Sequence, residues 1–307
     1  MSRVENPALA WQSKAILLIV VPWTSLDVLF KSLFWAKNAP VVVWTTLGIS
    51  AAFGLIVWRM KAGTPAAAAT GAAITASLMY GTVRYPYATG WLHGGLIPLL
   101  AVFLLTFAAT KIGKSKKEQL GTGESKRGRN AAQVAANLGV AALILIAIPD
   151  SSSSYFIPYS FKAITAFFFL AALAEAAADT VSSEIGQVFG GRPRSIFTFR
   201  LVDSGADGGV TAIGTLAGAC AALIVVVIGF WTRVDGPSLV HFWAAILLVT
   251  SGGVFGMLFD SLLGATLERK GWFNNDSVNF LSTLSAPIIL ALLLWGGLFF
   301  ASRHAGG

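Results

Sequence analysis

Residues 174–218 read AEAAADTVSSEIGQVFGGRPRSIFTFRLVDSGADGGVTAIGTLAG, a pattern that indicates both the class of fold and the place of a functional site. The stretch begins as an apolar segment that acquires acids, continues as a basic glycine-rich loop and ends in a second apolar segment. Because hydrocarbon cannot solvate carboxylates, acids at the end of a membrane-length segment are expected to face a polar cavity, a cation or each other. The stretch therefore predicts two membrane helices joined by a loop that takes part in the chemistry.

The composition excludes a soluble globular protein. Hydrophobic residues make up 55% of the 307 residues, charged residues 12%, and the mean hydropathy is +0.72. The net charge of +8 does not indicate nucleic-acid binding, because the basic residues cluster between apolar segments, where they set membrane orientation. The single Cys220 permits no disulfide within the chain, and the three histidines lack the spacing of zinc ligands.

Nine apolar segments are predicted, each judged against the roughly 20 residues that cross a bilayer. Eight are interpreted as spanning helices, at about 40–58, 65–85, 90–110, 131–149, 159–185, 209–231, 239–267 and 278–301. The first segment, 15–35, is interrupted by Pro22, Asp27 and Lys31, so a spanning helix and a re-entrant or interfacial segment both stay open. We therefore expect residues 1–307 to form one all-α, polytopic membrane domain.

The distribution of basic residues predicts the orientation. Residues 111–130 form the longest polar stretch and contain seven Lys or Arg, which is typical of a basic, solvated cytoplasmic loop. Alternation of the segments then places 16 of the 22 Lys and Arg on the cytoplasmic side and 6 on the opposite side or within the membrane. The N-terminus is predicted to lie inside, the C-terminus outside, and the loops that carry motifs on the cytoplasmic face.

The acids of the stretch 174–218 fall on two faces of one predicted helix. Glu175 and Asp179 share a face with Ser183, one turn further on, and Glu184 lies on a neighbouring face. Hard oxygen ligands of this kind suit Mg²⁺ that also contacts a substrate phosphate. The structural alternative is an interhelical polar cluster or an interfacial cap. Asp179 and Glu184 are thus candidate catalytic and metal-binding residues, and Ser183 is a candidate for contacting the nucleotide.

The loop that follows is a candidate anion site. Three arginines precede the sequence DSGADGG at 203–209, whose flexible backbone opens onto a helix start and can receive a phosphate. The loop lacks the Lys and Ser/Thr ending of a P-loop and follows no predicted strand, so an acidic or metal-binding turn is an equal alternative. The candidates for binding nucleotide phosphates are Arg192, Arg194, Arg200, Gly205, Gly208 and Gly209, and Asp207 is a candidate catalytic and metal-binding residue.

A second acidic motif occupies 256–279, on another predicted span. A stripe that repeats every four residues contains Gly256, Asp260, Gly264 and Glu268. The glycines favour close helix packing, whereas for the intramembrane Asp260 a catalytic role and structural pairing are both open. At the edge of the last span, Asn275 is a candidate for binding the nucleotide, and Asn275 or Asp276 for capping the last helix.

Four sets of residues together resemble a known family. They read TKIGKSKKEQLG…RGRNAAQVAANLGVAAL, AAADTVSSEIG, VDSGADGGVTAIGTLAG and FDSLLGATLERKGW…ND. In order and spacing, over roughly 40–300, they are similar to the family called domain of unknown function 92, which includes the plant phytyl-phosphate kinase. The matching motif positions are Asp179, Ser183, Glu184, Gly186, Gly205, Asp207, Gly208, Asp260, Gly264 and Asn275. Ala206 and Glu268 depart from the Thr and Gln common in the family.

The resemblance implies a membrane kinase that transfers the γ-phosphoryl group of a nucleotide, CTP being favoured, to an isoprenyl monophosphate. Mg²⁺ is the expected cofactor, and the expected partners are the nucleotide, the lipid phosphate and the membrane. Cytidylyl transfer to a lipid phosphate is an enzymatic alternative. An ion-coupled transporter or lipid flippase using Asp27, Asp179 and Asp260 is another, although the acids gather mostly on one side and no inverted repeat is visible. Chain length, nucleotide and oligomeric state are left open.

Overall fold

The computed structural model of the chain describes residues 7–83, 94–123, 128–147, 159–233 and 239–304. These residues form an all-α bundle with nine helices of 16 residues or more and one short helix. The helices are α1 (Ala10–Asn38), α2 (Pro40–Arg59), α3 (Pro65–Tyr80), α4 (Leu96–Lys111), the short α5 (Lys114–Gln119), α6 (Ala131–Ala147), α7 (Tyr159–Phe189), α8 (Ala212–Arg233), α9 (Leu239–Leu263) and α10 (Asn275–His304). A 3₁₀ turn, Pro7–Leu9, precedes α1, and a π-helical turn, Gly264–Glu268, extends α9.

The predicted all-α membrane bundle is confirmed. Six helices are long and apolar enough to cross a membrane by length and composition, and α4 and α6 are shorter apolar helices. Large apolar side chains on their outer faces are exposed, as a lipid environment permits; examples are Leu18, Trp44, Leu104, Trp231 and Leu292. The outer ends of the predicted segments 65–85, 90–110 and 131–149 lie outside the described residues.

The first apolar segment belongs to a continuous helix, α1, which Pro22 does not break. The two charged side chains that interrupt this segment, Asp27 and Lys31, form an ion pair. Asp27 Oδ1 lies 2.9 Å from Lys31 Nζ, and Asp27 Oδ2 accepts a hydrogen bond from Ser77 Oγ of α3 at 2.7 Å. Because both charged side chains are largely buried, α1 has a polar seam against α3 that compensates the cost of these charges.

The helix α7 lies at the centre of the bundle. Every residue from Phe169 to Ala178 is at most 2% exposed, and six of these ten residues are alanine. Such short side chains let neighbouring helices approach closely. As a result α7 packs against α4, α6, α8, α9 and α10.

Glycines bring the backbones of α8 and α9 almost into contact with α7. A Cβ atom on Gly218 of α8 would lie 2.7 Å from the carbonyl oxygen of Ala178 on α7. A Cβ atom on Gly256 of α9 would lie 2.5 Å from Cγ of Glu175, also on α7. The close packing predicted for the glycine stripe is therefore confirmed at Gly256, and α7, α8 and α9 form one tight block.

Four chain connections and the start of α1 meet at one end of the bundle. The link before α3 pairs with the link before α6 through a parallel bridge between Gly63 and Arg129. The loop between α7 and α8 packs on Thr122 and on the π-helical turn after α9. The link before α10 bonds to the start of α1, where Asn274 Nδ2 donates to the Leu9 carbonyl at 3.0 Å. We call this the motif end of the bundle, because it contains the loops that the sequence analysis singled out.

The close approach at Gly218 can be tested by adding a single methyl group. We expect Gly218→Ala to lower the melting temperature of the detergent-solubilised protein, because overpacking of this kind costs about 1–3 kcal/mol. The measurement is thermal unfolding followed by tryptophan fluorescence. Gly296→Ala on α10 is the matched control, since a Cβ atom there meets nothing within 4 Å and alanine favours helix. Equal melting temperatures for the two variants would contradict the packing described.

Candidate functional site

One face of α7 changes from buried to exposed along its length. Glu175 is 1% exposed, Asp179 one turn later is half-buried, and Ser183 after another turn is exposed. This polar face runs from the centre of the bundle to the motif end. It gives a water-soluble ligand a route towards carboxylates that lie among apolar helices.

Glu175 is anchored by α10. Its Oε1 accepts a hydrogen bond from Ser282 Oγ at 2.7 Å, and its Oε2 accepts one from Thr283 Oγ1 at 2.5 Å. Both hydroxyl groups are fully buried. A buried carboxylate needs such partners, since its lost hydration must be replaced. Ser282 and Thr283 were missed by the sequence analysis, because their polar character is common in packed membrane helices.

Asp260 is a buried carboxylate whose hydrogen-bonding capacity is only partly satisfied. It lies on α9, where Ser282 forms a hydrogen bond with it and Asp179, Glu175 and Glu268 are the neighbouring acids. Its Oδ1 atom is buried and has no hydrogen-bond partner in the described part of the chain. Buried like charges are stable together only when a proton or a cation compensates them. This group of acids from α7, α9 and the π-helical turn is hereafter the acidic cluster.

The glycine-rich loop lies directly against the acidic cluster. Gly208, at φ +69°, lies so close to α9 that a Cβ atom would overlap the backbone of Ser261 and Ala265. In turn, a Cβ atom on Gly264 would lie 2.9 Å from Gly208 N and 3.5 Å from Asp207 C. Only glycine fits these positions, and Ser261 adjoins Asp260 in the chain. The structure thus brings the predicted Asp207–Gly208 turn next to the second acidic motif.

The basic part of this loop is a small hairpin. Two-residue strands, β1 (Arg194–Ser195) and β2 (Gly209–Val210), pair antiparallel, and Ile196 N donates to the Gly208 carbonyl at 3.1 Å. The sequence analysis expected no strand here. The three predicted phosphate-binding arginines are exposed on the hairpin, together with two aromatic side chains; these residues are Arg192, Arg194, Arg200, Phe197 and Phe199. The guanidinium of Arg194 donates to the Phe199 carbonyl at 3.0 Å.

Glu184, predicted to bind metal, forms an ion pair. Its Oε2 lies 2.5 Å from Lys117 Nζ, and its Oε1 accepts from Thr110 Oγ1 at 3.3 Å. Lys117 is 2% exposed and also donates to the carbonyl groups of Ala109 and Thr110, at 3.1 and 2.7 Å. The interpretation of 111–130 as a solvated loop is therefore wrong at Lys117, which is buried and forms an ion pair with the partly buried Glu184 of α7. A metal ion at Glu184 would have to compete with this lysine.

Arg129 is a functional candidate that the sequence analysis did not single out. Its backbone N donates to Ala62 O at 3.1 Å, and its carbonyl accepts from Thr64 N at 2.9 Å. The half-buried side chain reaches α7, where Nη2 lies 3.4 Å from Thr180 Oγ1. Thr180 adjoins Asp179 in the chain. Arg129 therefore places a guanidinium group on the face of α7 that bears Thr180, which neighbours the polar face. Its position just before the capping residues of α6 was the available signal.

The region around Asn275 connects α10 with α1. The N-cap of α10 is Asn274, whose Oδ1 accepts from Ser277 N at 2.9 Å, so the predicted capping by Asn275 or Asp276 is wrong by at least one position. Asp276 Oδ2 instead accepts from Ser13 Oγ at 2.6 Å. The predicted role of Asn275 in nucleotide binding stays a prediction.

The acids do not form a closed metal cage. Among the described residues, no three His, Cys, Asp or Glu side chains converge closely enough to hold a metal ion by themselves. Mg²⁺ usually keeps several waters and takes one or two carboxylates together with substrate phosphates. Carboxylate oxygens are donors that suit such a metal ion. The buried Oδ1 of Asp260, which has no hydrogen-bond partner among the described residues, also fits it.

The fold and this site define a polytopic α-helical membrane protein with an acidic cluster at one end of the bundle. The chain belongs to the integral membrane protein family DUF92, whose family model matches residues 48–287. This finding confirms the resemblance noted from the sequence motifs.

Similar proteins occur in archaea and plants. An uncharacterized membrane protein of Methanocaldococcus jannaschii is 34% identical over 205 residues, which cover 64% of this chain and 75% of that protein. The chloroplastic protein VTE6 of Arabidopsis thaliana is 27% identical over 227 residues, covering 72% of this chain and 63% of that protein. Protein PGR of the same plant is 32% identical over 203 residues, 61% and 68% of the two chains. No solved structure matches the chain.

The ion pair between Lys117 and Glu184 predicts a clear stability difference. We expect Lys117→Met to lower the free energy of unfolding in detergent by about 2 kcal/mol, because it leaves a partly buried carboxylate without its counter-charge. The double variant with Glu184→Gln should recover part of this loss. Lys114→Met is the control, since Lys114 and its partner Glu118 are both exposed. Equal destabilisation by the two lysine variants would contradict the pairing.

Proposed function

We propose that this protein is an integral membrane kinase that transfers the γ-phosphoryl group of a nucleoside triphosphate, CTP being favoured, to an isoprenyl monophosphate. The observation that carries the proposal is the buried Oδ1 of Asp260, which lacks a hydrogen-bond partner among the residues that the structure describes and lies near further acids at the motif end. Membership of the DUF92 family and the similarity to VTE6 support it. A cluster of acids beside a glycine-rich turn suits a nucleotide bound with a divalent cation.

The reaction needs little covalent help from the protein. An oxygen of the lipid monophosphate forms a bond to the γ-phosphorus, the bond from that phosphorus to the β,γ-bridging oxygen breaks, and the nucleoside diphosphate leaves. Because the attacking phosphate oxygen is already anionic, no general base is required. Catalysis of such a transfer consists mainly of alignment and stabilisation of charge, for which acids, a metal and arginines suffice.

The residues of this chain divide these tasks. Asp179 and Asp260 would hold Mg²⁺ together with the nucleotide phosphates, whose charge the ion would neutralise. Asp207, on the adjoining turn, stays a predicted metal ligand. The exposed arginines of the hairpin attract the nucleotide, and Arg129 binds the acceptor phosphate. Glu184 holds Lys117 at the motif end and stays a predicted further ligand. Each of these acids and arginines therefore has a proposed role in binding the metal ion or the phosphates.

The active face is proposed to be cytoplasmic. The loops that carry motifs lie at one end of the bundle, and the distribution of basic residues supports an orientation with that end inside the cell. Nucleoside triphosphates are available on that side of a cell membrane. The lipid acceptor would reach the same end from within the bilayer.

Two alternatives make different predictions. A cytidylyltransferase would use the same acids but release pyrophosphate, so only the products distinguish it. An ion-coupled transporter or flippase would need a path of ionisable residues across the membrane. The pairing of Asp27 with Lys31 and Ser77 favours a structural role for that residue and weakens this alternative.

The decisive assay uses purified protein in detergent with Mg²⁺, CTP or ATP, and phytyl, geranylgeranyl or farnesyl monophosphate. The kinase proposal predicts a lipid diphosphate and a nucleoside diphosphate in equal amounts. A nucleotidyl lipid with pyrophosphate would establish the cytidylyltransferase instead. Folded protein that makes no product from any pair would contradict both enzymatic functions.

Single isosteric changes test the roles of the acids. We expect Asp260→Asn and Asp179→Asn each to reduce kcat by at least about a hundredfold, because each removes a charge that holds the metal next to the phosphates. Glu118→Gln is the control: Glu118 is an exposed acid at the motif end, and its loss should leave the rate unchanged. Steady-state rates and melting temperatures are measured together. A folded Asp260→Asn variant with the normal rate would remove Asp260 from the site.

A further inference from the structure

A second feature at the motif end is an apolar pocket between helices. It is lined by residues of α2, α3, α4, α6 and α7 and has a cavity volume of about 90 Å³ in this conformation; the space rises to about 690 Å³ when the open solvent at its mouth is counted. Its walls are almost entirely apolar, and its one charged lining residue in the described part of the chain is Arg129. An apolar cavity with a cation at its rim matches an amphiphile that has one anionic end.

The pocket borders the face of α7 that bears Ala176 and Thr180. Ala176 forms part of its wall, and Thr180, one turn later on the same side of α7, lies 3.4 Å from the guanidinium of Arg129. Thr180 is followed one turn later by Glu184 and preceded immediately by Asp179. A ligand whose head group binds Arg129 would therefore have its charged end beside Thr180, at the end of α7 that bears the acids, and its tail among α2, α3 and α4.

Two aromatic rings lie between the pocket and the outer faces of α2 and α4. Phe53 of α2 and Phe103 of α4 meet edge to face across it, with ring centroids 5.2 Å apart. Both rings are half-buried, while Leu55 on α2 and Leu104 on α4 are 49% and 62% exposed. The contact between the two rings thus separates the pocket from the exposed outer faces of these helices. A hydrocarbon chain could enter by displacing one pair of side chains.

We infer that this pocket binds the hydrocarbon chain of an isoprenyl monophosphate, and that Arg129 binds its phosphate. The inference rests on the proposed function for the identity of the head group and extends it by locating the acceptor. A guanidinium group presents N–H donors in a planar fork and can bind a phosphate in a bidentate manner. The methyl-branched isoprenyl chain would be held by apolar contact with the pocket walls, without polar recognition along its length.

Filling the pocket tests the location of the chain. Gly71 of α3 lines the pocket, and a Cβ atom there meets only Val134 Cγ1, at 3.9 Å, so a larger side chain has room to point inward. We expect Gly71→Phe to raise KM for geranylgeranyl monophosphate about tenfold or more and to leave KM for dimethylallyl monophosphate unchanged. Gly48→Phe is the matched control, since Gly48 lies on the exposed side of α2 and a Cβ atom there meets nothing within 4 Å.

Changing the guanidinium tests the location of the phosphate. Arg129→Gln keeps the backbone bonds to Ala62 and Thr64 and should raise KM for both lipids alike, with a smaller effect on kcat. Arg59→Gln, which changes an exposed arginine at the end of α2, should have no effect. A folded Arg129→Gln variant with unchanged KM values would overturn the assignment of the phosphate.

Photo-crosslinking locates the chain without turnover or substitution. Wild-type protein is irradiated with a diazirine-bearing geranylgeranyl monophosphate in the absence of nucleotide, and the adducts are mapped by mass spectrometry. We expect adducts on pocket residues such as Phe53 and Phe103, and competition by geranylgeranyl monophosphate but not by phosphatidylglycerol. Adducts only on outer faces, or equal competition by the phospholipid, would overturn the inference. Pocket adducts in a protein without kinase activity would uphold the pocket and contradict the proposed function.

Discussion

A carboxylate buried among membrane helices is stable only where hydrogen bonds, a proton or a cation replace the water that it has lost. Glu175 lies in the most buried part of α7, and two hydroxyl groups of α10 satisfy it. Asp260 lies nearby on α9 with one oxygen that lacks a hydrogen-bond partner. The arrangement of α7, α9 and α10 follows from the need to shield these acids from hydrocarbon while leaving one side open to the motif end.

Small residues make that shielding possible. The alanines of α7 and the glycines of α8 and α9 bring three backbones close together, so that side chains from separate motifs share one small volume. The same closeness limits what can change. A methyl group at Gly256 would overlap the Glu175 side chain itself, and one at Gly208 would displace the loop from the end of α9. A substitution that changes the helix packing here would therefore also change the geometry of the acidic cluster.

The sequence predicted the helices well, because apolar runs of membrane length leave few alternatives. It also predicted that the loops that carry motifs lie on one side, since alternation of spans places them there, but it left the role of the intramembrane Asp260 open. The sequence could not predict which acids pair with bases. Lys117 and Glu184 are 67 residues apart, and Lys117 looks like one of many solvated lysines until the fold buries it. Arg129 was missed for the same reason, because its contact with Thr180 depends on how α6 and α7 lie side by side.

The pocket beside Arg129 indicates which function the acidic cluster serves, which the acids alone do not. Charged groups at the edge of a membrane protein can serve transport, folding or catalysis, whereas an apolar cavity with an arginine at its rim, beside the helix that bears the acids, favours a reaction on a lipid head group. On this account the two halves of the bundle have different tasks. Helices α2, α3, α4 and α6 enclose the chain, and α7, α9 and α10 bear the acids.

The most direct test of the account is whether the acidic cluster binds a divalent cation together with a nucleotide. Mn²⁺, which replaces Mg²⁺ and is visible by electron paramagnetic resonance, would be titrated into the purified protein in the presence of CTP and without a lipid acceptor. The account predicts a protein-bound Mn²⁺ signal that depends on CTP and is lost in Asp260→Asn. Protein that binds no Mn²⁺, or an Asp260→Asn variant that binds it as tightly as the wild type, would contradict the central claim.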